Sequence, residues 1–289
     1  MSNAIEVAGL NYYPIKSCGA TQAQEVTFSE LGIEHDREWM LVGKNGQPLT
    51  QRVHPELALV QPTLVGELLE VSAPQMGGIA LSLERDPNAE IVPVTLWGKP
   101  GTGADQGAEA NAWFSDYLGK DARLLRIDQP RWVKPECRVD GASDRTGFAD
   151  GFPILLASTD SLGELNAHLG EPVKIDRFRP NIVVEGAPAY DEDYWREVRI
   201  GNLCGYVVRA CARCPIPNID QSVGVLRKER PLTDVLRKTR RGTDPIGGER
   251  GEFFGQNVVH VFESGTTVRL HDQVEVVERA DTRNWLAAA

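Results

Sequence analysis

The sequence CARCPIPNIDQSVG, residues 211–224, is the most informative stretch of the chain. Two cysteines, Cys211 and Cys214, lie on either side of Arg213. A cation beside a thiol favours the deprotonated sulfur, which is a nucleophile and a ligand for soft metals. The two prolines that follow fix the backbone and exclude an α-helix there. The stretch therefore predicts a rigid loop that presents one working sulfur, with two buried structural cysteines as the alternative.

The composition is that of a globular protein of one large or two ordinary domains, with 289 residues, 41% of them hydrophobic. A net charge of −10 argues against general nucleic-acid binding. Residues 209–250 are an exception, because this stretch contains ten Lys/Arg and only five Asp/Glu. Five cysteines, an odd number, fit a disulfide-stapled secreted protein poorly. The N-terminus shows no signal peptide and no stretch is long enough to span a membrane, so we expect a cytoplasmic protein without membrane attachment.

Alternating apolar and polar residues predict a mainly β fold. Such strand-like runs occur at 39–42, 57–60, 79–83, 91–96, 182–184, 198–200, 206–209, 258–262 and 274–277. Helical spacing is limited to 106–118, 159–169 and a segment that begins at Pro231. Residues 128–148 are rich in Pro, Gly and Asp, which is typical of a linker or long loop. We therefore expect two β-rich domains, residues 1–127 and 149–280, of the barrel or sandwich type.

The Cys-x-x-Cys pair alone leaves its chemistry open. A structural zinc site needs two more Cys or His ligands at comparable spacing, and the nearest candidates do not form such a pair. A thioredoxin-like redox pair needs a helix after the first cysteine, which the prolines oppose. Asp220 follows shortly after, and its carboxylate could relay protons or simply form a turn.

Several cations elsewhere are suited to an anionic ligand. Arg179 precedes a proline, and Arg179 and Asn181 project to the same side of an extended strand, where a guanidinium and an amide can bind a phosphate or a pterin-like heterocycle. Lys16, Ser17 and Arg37 lie at strand ends near the N-terminus and could clamp a phosphate. Each of these patterns alone is also typical of an ordinary surface.

In order along the chain, these segments resemble the MOSC family, and in particular its two-domain members with an N-terminal MOSC β-barrel followed by the MOSC β-barrel domain. This branch includes amidoxime-reducing components and bacterial reductases of N-hydroxylated compounds. The segments that carry the resemblance are YPIKSC (13–18), HDREWMLV (35–42), AWFSDYLG (112–119), FPILLAS (152–158), FRPNIVV (178–184), CARCPIPNIDQSVG (211–224), PLTDVLRKTR (231–240), FFGQNV (253–258) and GTTVRLHDQVEVV (265–277).

The resemblance implies a molybdenum–pyranopterin cofactor with Cys214 as the molybdenum ligand. The positions that match the family's cofactor contacts are Lys16, Ser17, Arg37, Gly151, Phe152, Arg179, Asn181, Arg213 and Asn257. Relatives usually carry hydroxylated residues at the Gly151–Phe152 pair and can carry tyrosine at Asn257, so these three residues match only as main-chain contacts. Asp220 is the candidate proton relay. The family is also associated with pyridoxal phosphate binding.

The implied function is two-electron removal of oxygen from small N-hydroxylated compounds. The alternative is a carrier of molybdenum cofactor or sulfur without turnover. The chain has no cysteine after Cys214 and no glycine-rich nucleotide fingerprint, so we expect a separate ferredoxin- or flavodoxin-like electron donor. An acidic donor could approach the basic stretch 227–241, which would make the rate fall with salt.

Overall fold

The computed structural model describes residues 4–227 and 231–287. Within these ranges the chain is built mainly from β-strands with three α-helices, which confirms the predicted fold class. The strands are β1 (Glu6–Tyr12), β2 (Thr21–Ala23), β3 (Glu25–Ser29), β4 (Gly32–Ile33), β5 (Trp39–Val42), β6 (Gln61–Val65), β7 (Leu68–Ser72), β8 (Ile79–Ser82), β9 (Ile91–Leu96), β10 (Lys99–Asp105), β11 (Arg123–Ile127), β12 (Arg131–Trp132), β13 (Arg145–Thr146), β14 (Ile154–Ser158), β15 (Ile182–Glu185), β16 (Trp195–Ile200), β17 (Leu203–Ala212), β18 (Ile219–Asp220), β19 (Val225–Leu226), β20 (Arg241–Thr243), β21 (Arg250–His260), β22 (Thr267–Arg269), β23 (Val274–Arg279) and β24 (Leu286–Ala287). The α-helices are α1 (Ala108–Leu118), α2 (Thr159–Ala167) and α3 (Pro231–Thr239). Short 3-10 helices span Pro55–Leu59, Pro135–Cys137, Ile175–Phe178, Asp191–Tyr194 and Ile216–Asn218.

The largest sheet carries the C-terminal half of the chain. Its strand order is β2-β1-β15-β14-β21-β17-β16-β23, and β20 and β24 extend it beside β21. Of these pairs, β14 and β15 run parallel and the others antiparallel. The long strand β21 pairs with β14, β17 and β20 and therefore holds the middle of the sheet together. Its buried face packs Val258 against Trp195 and Val207 in one apolar core.

Residues 6–33 belong to this C-terminal layer rather than to the sheets formed by residues 39–127. Strand β1 pairs antiparallel with β15, so that Leu10 lies opposite Ile182, and β3 pairs with β22. Val7 and Phe28 are buried in the same apolar core as the largest sheet. The segment assigned from the sequence to residues 1–127 thus contributes four strands to the second half. The chain leaves β1 at the junction of the two halves, which places residues 13–18 there.

A second core lies in residues 39–127. The sheet β5-β11-β10-β9 and the meander β6-β7-β8 enclose it together with α1. Leu41 pairs in register with Leu124, and both are fully buried. Trp113 and Phe114 on α1 pack against them, as the aromatic stripe of this helix predicts.

The structure differs from the sequence-based expectations at a few elements. The strand predicted at 57–60 is wrong, because Pro55 begins a 3-10 helix that buries Leu57. Helix α1 begins at Ala108 and not at residue 106, because Gly107 adopts a φ of 93°, which is not helical. Helix α2 ends at Ala167, two residues earlier than expected.

The predicted linker 128–148 is an ordered part of the fold. It contains the short pair β12–β13 and a 3-10 helix, and Val133 and Cys137 are buried against Val259 of β21. This packing ties the segment to the largest sheet. No helix in the described ranges is long and apolar enough to cross a membrane.

Candidate functional site

One pocket lies at the junction between the sheets of residues 39–127 and the largest sheet. It is lined by ten of the residues predicted from the sequence, namely Lys16, Ser17, Arg37, Gly151, Phe152, Arg179, Asn181, Arg213, Cys214 and Asn257. The wall also contains residues that the sequence did not single out as ligands: Thr50, Arg52, Trp97, Ala149, Asp150, Leu155, Phe178, Cys211 and Ile216. Both halves of the chain therefore contribute to the same site.

Three polar residues of the pocket adopt left-handed backbone conformations. The φ angles are 69° at Ser17, 47° at Arg37 and 55° at Arg179. Such angles are uncommon for residues other than glycine and persist only where the surrounding structure enforces them. Arg37 is held by a hydrogen bond from its amide to the Tyr13 carbonyl at 2.8 Å, and the Arg179 amide donates to the Asp176 carbonyl at 3.0 Å. The strain is concentrated at residues that line the pocket.

The ring of Tyr13 contacts two arginines, one from each half of the chain. The guanidinium carbons of Arg37 and Arg179 each lie 4.2 Å from the centre of its ring, a distance typical of cation–π contacts. Burial raises the pKa of Tyr13 to about 12, even though Arg179 and Arg37 oppose the rise, so the phenol stays neutral at pH 7. Arg179 also donates from Nη1 to the Cys18 carbonyl at 2.7 Å. Tyr13 therefore positions both cations without neutralising them.

Asn181 is a positioning residue in this structure. Its Oδ1 accepts hydrogen bonds from Arg37 Nη1 at 3.0 Å and from the Leu155 amide at 3.1 Å, and its Nδ2 donates to the Asn11 carbonyl. The side chain thus links the arginine of the N-terminal segment to the largest sheet. Asn257 lines the opposite wall, and its Nδ2 lies 3.4 Å from the Ala210 carbonyl that accepts its hydrogen bond.

Lys16 is a buried cation with a carboxylate partner. Its Nζ donates to the Phe148 carbonyl at 2.7 Å and forms an ion pair with Asp150. Burial lowers the pKa of Lys16, and the charge of Asp150 offsets this only in part. Burial would raise the pKa of Asp150, but the charges of Lys16 and Arg52 outweigh it and hold the value at about 2. Asp150 is therefore ionised at neutral pH.

The two cysteines lie at the end of β17. Cys211 is the second-to-last residue of that strand, and Cys214 is separated from the 3-10 helix Ile216–Asn218 by Pro215. Arg213 donates from Nη1 to the sulfur of Cys211 at 3.1 Å and from Nη2 to the Phe178 carbonyl at 2.8 Å. Both thiols are free and partly exposed. In residues 4–227 and 231–287, no cluster of three or more His, Cys, Asp or Glu side chains could hold a metal ion.

Asp220 does not have the position expected of a catalytic residue. It does not line the pocket, and its carboxylate accepts hydrogen bonds from Arg177 at 2.8 Å, Arg227 at 3.2 Å and the Ser222 hydroxyl at 2.7 Å. The Ser222 hydrogen bond and the Arg177 charge outweigh burial and lower the pKa of Asp220 to about 2. A carboxylate that stays ionised at neutral pH is a poor proton relay, so the turn-forming interpretation is the better one.

The basic stretch near the cysteines is largely paired within the chain. Arg227 contacts Glu171 and Asp220, and Arg237 contacts Asp234. Arg240 is buried in a bidentate pair with Asp193, where it also packs on aromatic rings. Residues 228–230 lie outside the described ranges. Lys238 and Arg241 of the same stretch are exposed and form no ion pair among the described residues, so part of its positive charge stays unbalanced.

The pocket residues fit an anionic group that carries a soft metal. A free thiol at Cys214 is a ligand of the right softness, and five cations line the same space: Lys16, Arg37, Arg52, Arg179 and Arg213. Two buried guanidinium nitrogens, Nε of Arg52 and Nε of Arg213, have no hydrogen-bond partner among the described residues. Buried donors are nearly always paired in native proteins, so both nitrogens are available to a ligand.

Comparison with known proteins agrees with this geometry. Residues 4–121 match the MOSC N-terminal beta barrel domain, and residues 143–275 match the MOSC domain. Mitochondrial amidoxime-reducing component 1 of Xenopus laevis is 30% identical over 285 residues, which cover 94% of this chain and 82% of the relative.

Two further relatives extend the comparison. Mitochondrial amidoxime reducing component 2 of Rattus norvegicus is 34% identical over 81% of this chain and 71% of the relative. Molybdenum cofactor sulfurase of Oryza sativa subsp. japonica is 29% identical over 82% of this chain but only 31% of that longer protein. The chain therefore belongs to the MOSC family, with both the N-terminal barrel domain and the MOSC domain present.

Proposed function

We propose that this protein binds a molybdenum–pyranopterin cofactor in the pocket and reduces small N-hydroxylated compounds. The observation that carries the proposal is the presence of the Cys214 thiol and four cations, Lys16, Arg37, Arg179 and Arg213, in one pocket. The amidoxime-reducing components, at about 30% identity over most of the chain, support the same reaction class. The net reaction consumes two electrons and two protons, and converts an N–OH group to N–H and water.

The cofactor supplies the redox chemistry when it is bound, and the chain supplies binding and orientation. Cys214 provides the sulfur ligand for the metal. Arg37 and Arg179, fixed on the Tyr13 ring, offer charge-assisted hydrogen bonds to anionic oxygens or the heterocycle. Arg213 is anchored through Phe178 and Cys211, so its Nε remains for the ligand.

The chain also supplies the wall beside the metal. Phe152, Leu155, Phe178 and Ile216 contribute apolar side chains to the lining of the pocket. An apolar lining excludes water around the reacting N–O bond and favours a substrate with an aromatic or alkyl body. Pro215 and Pro217 fix the loop that carries Ile216, so the shape of this wall is set by the sequence after Cys214.

A carrier of molybdenum cofactor or sulfur is the second candidate. The similarity to a molybdenum cofactor sulfurase favours it, because the same MOSC region occurs there in a much longer protein. In that case Cys214 would hold cargo without turnover.

The cytoplasmic location expected from the sequence stays a prediction, because the relatives named first are called mitochondrial.

A separate electron donor completes the proposal. A ferredoxin- or flavodoxin-like protein would deliver the two electrons, since the chain offers no nucleotide fingerprint of its own. The paired arginines of the basic stretch reduce the electrostatic attraction that we expect for an acidic donor.

The deciding experiment is reduction of benzamidoxime by the purified, molybdenum-loaded protein with a chemical or protein donor. The reductase predicts conversion to benzamidine that requires the loaded protein and is lost in Cys214→Ser. Bound molybdenum and pterin without turnover under any donor would favour the carrier. Purified protein without molybdenum or pterin would contradict the reductase and the cofactor carrier, and would leave only a sulfur carrier.

A further inference from the structure

Asp150 stands between a buried cation and the open part of the pocket. Its carboxylate forms an ion pair with Lys16 Nζ, and its Oδ2 lies 3.8 Å from Arg52 Nη2. The side chain of Lys16 is only 6% exposed, whereas that of Asp150 is 58% exposed. A ligand that reaches Lys16 from the pocket must therefore meet the Asp150 carboxylate first.

Arg52 and Trp97 complete a cluster with Lys16. The Arg52 guanidinium carbon lies 4.3 Å from the Trp97 ring centre, and Lys16 Nζ lies 5.7 Å from the same centre. Trp97 occupies the turn between β9 and β10 with a φ of 54°, which bulky residues rarely adopt. Arg52 Nε is buried without a hydrogen-bond partner among the described residues. The cluster thus holds two cations whose binding capacity is not fully used.

The segment around Asp150 has room to move. It lies in the irregular connection between β13 and β14, and within the described ranges the carboxylate contacts only the side chains of Lys16 and Arg52. Gly151 follows, and a Cβ built there would meet no atom within 4 Å. Among the described residues the Asp150 side chain makes no hydrogen bond to the backbone. It can therefore rotate away from Lys16 without losing one.

We propose that Lys16 and Arg52 form one binding site, here called the seat, for a phosphate-like anionic group, and that Trp97 lines it. The Asp150 carboxylate occupies this seat until the ligand displaces it. A buried lysine needs a counter-ion, because an unpaired charge in a protein interior is strongly unfavourable. Asp150 supplies that counter-ion before the ligand arrives. It then has to leave, because two anions on one cation repel each other.

The proposal rests on the proposed function only in that the ligand of the pocket is anionic. It adds Arg52, Trp97 and Asp150 to the binding residues implied by the family resemblance. It also predicts that ligand affinity is reduced by a residue of the chain itself, which keeps Lys16 charged and the pocket closed to weaker anions.

The test measures binding of inorganic phosphate to the full-length protein, purified from a host that cannot make the pterin. Titration calorimetry at low ionic strength compares the wild type with Asp150→Asn. The matched control is Asp121→Asn, which removes one charge from the exposed ion pair between Lys44 and Asp121. Neither residue of this pair lines the pocket. We expect Asp150→Asn to bind phosphate about tenfold more tightly, which is about 1.4 kcal/mol, and Asp121→Asn to bind as the wild type does.

The double variant Asp150→Asn with Arg52→Ala separates a seat from a general gain of positive charge. We expect the second substitution to remove most of the gained affinity, with the thermal midpoint of unfolding checked for each variant. Equal or weaker binding by folded Asp150→Asn, or no measurable binding by any variant, would overturn the proposal. A gain that survives Arg52→Ala would also overturn it. Turnover is not measured, so a lack of reductase activity would count only against the proposed function.

Discussion

Arg213 donates a hydrogen bond to the sulfur of Cys211, 3.1 Å away, although Cys214 is its direct neighbour in the sequence. The cation of the Cys-x-x-Cys segment therefore fixes the first cysteine. In the described ranges no side chain donates to the sulfur of the second cysteine, whose thiol lines the pocket. Both cysteines line the pocket, but within the described ranges only the sulfur of Cys211 accepts a side-chain hydrogen bond, which favours Cys214 as the ligand.

The first prediction separates the two cysteines. Cys214→Ser should abolish benzamidoxime reduction, because a serine hydroxyl is a harder ligand and is far less readily deprotonated than a thiol. Cys211→Ser should keep much of the activity, because the new hydroxyl can still accept the Arg213 hydrogen bond. Steady-state rates on protein with measured molybdenum content check this. Equal loss in both folded variants would instead indicate a dithiol mechanism.

The second prediction concerns Arg179, with its neighbour Arg177 as a matched control. Both are buried, at 8% and 7% exposure, but Arg177 pairs with Asp220 outside the pocket. Each substitution by alanine should lower the free energy of unfolding by about 1 to 3 kcal/mol, because each removes a largely buried side chain together with its charge-assisted hydrogen bond. Only Arg179→Ala should lose most of its molybdenum. Normal molybdenum content in that variant would remove Arg179 from the binding site.

The third prediction tests the role of Asp220 through pH. Its folded pKa of about 2 lies below the unfolded value of about 4. Its contribution to stability is therefore present above pH 4 and is lost as the pH falls toward 2. Asp220→Asn should be less stable than the wild type at pH 7, by about 1 kcal/mol, and the difference should vanish near pH 2. Urea unfolding between these limits measures it.

The same variant distinguishes a turn residue from a proton relay. Because Asp220 does not line the pocket, Asp220→Asn should retain both molybdenum and reductase activity, with an unchanged pH profile. A large fall in the rate of the folded variant with bound molybdenum would instead indicate that Asp220 relays protons.

The fourth prediction is that turnover requires a separate electron donor. NADH alone should give no reduction of an N-hydroxylated substrate, and a reduced flavodoxin- or ferredoxin-type donor should restore it. With an acidic donor the rate should fall as salt rises, because Lys238 and Arg241 are exposed and form no ion pair among the described residues. Full turnover with NADH alone would show that this prediction is wrong.

Much of the site was predictable because its residues stand beside strand ends. Lys16 and Arg37 were correctly expected near strand ends. The extended conformation expected for Arg179 is wrong, because this residue ends the 3-10 helix Ile175–Phe178 in a left-handed conformation before β15 begins. The left-handed conformations of Ser17, Arg37 and Arg179 were not predictable, because nothing in their side chains favours a positive φ.

Long-range pairing explains what the sequence did not reveal. Nothing local indicates that β1 pairs with β15, about 170 residues away, so the pairing of the first strands with the second half could not be predicted. Arg52, Trp97 and Asp150 were missed for the same reason, since they lie far apart in the sequence and meet only in the folded chain. Leu57 was misassigned because alternation over four residues does not distinguish a short strand from a 3-10 helix.

The most direct test of the central claim is the molybdenum and pterin content of the purified protein, measured by elemental analysis and by fluorescence of the oxidised pterin. We expect both in equal amounts in the wild type, and most of both lost in Arg179→Ala but retained in Arg177→Ala. Protein that folds in a host with active cofactor synthesis, yet contains neither molybdenum nor pterin, would contradict the account.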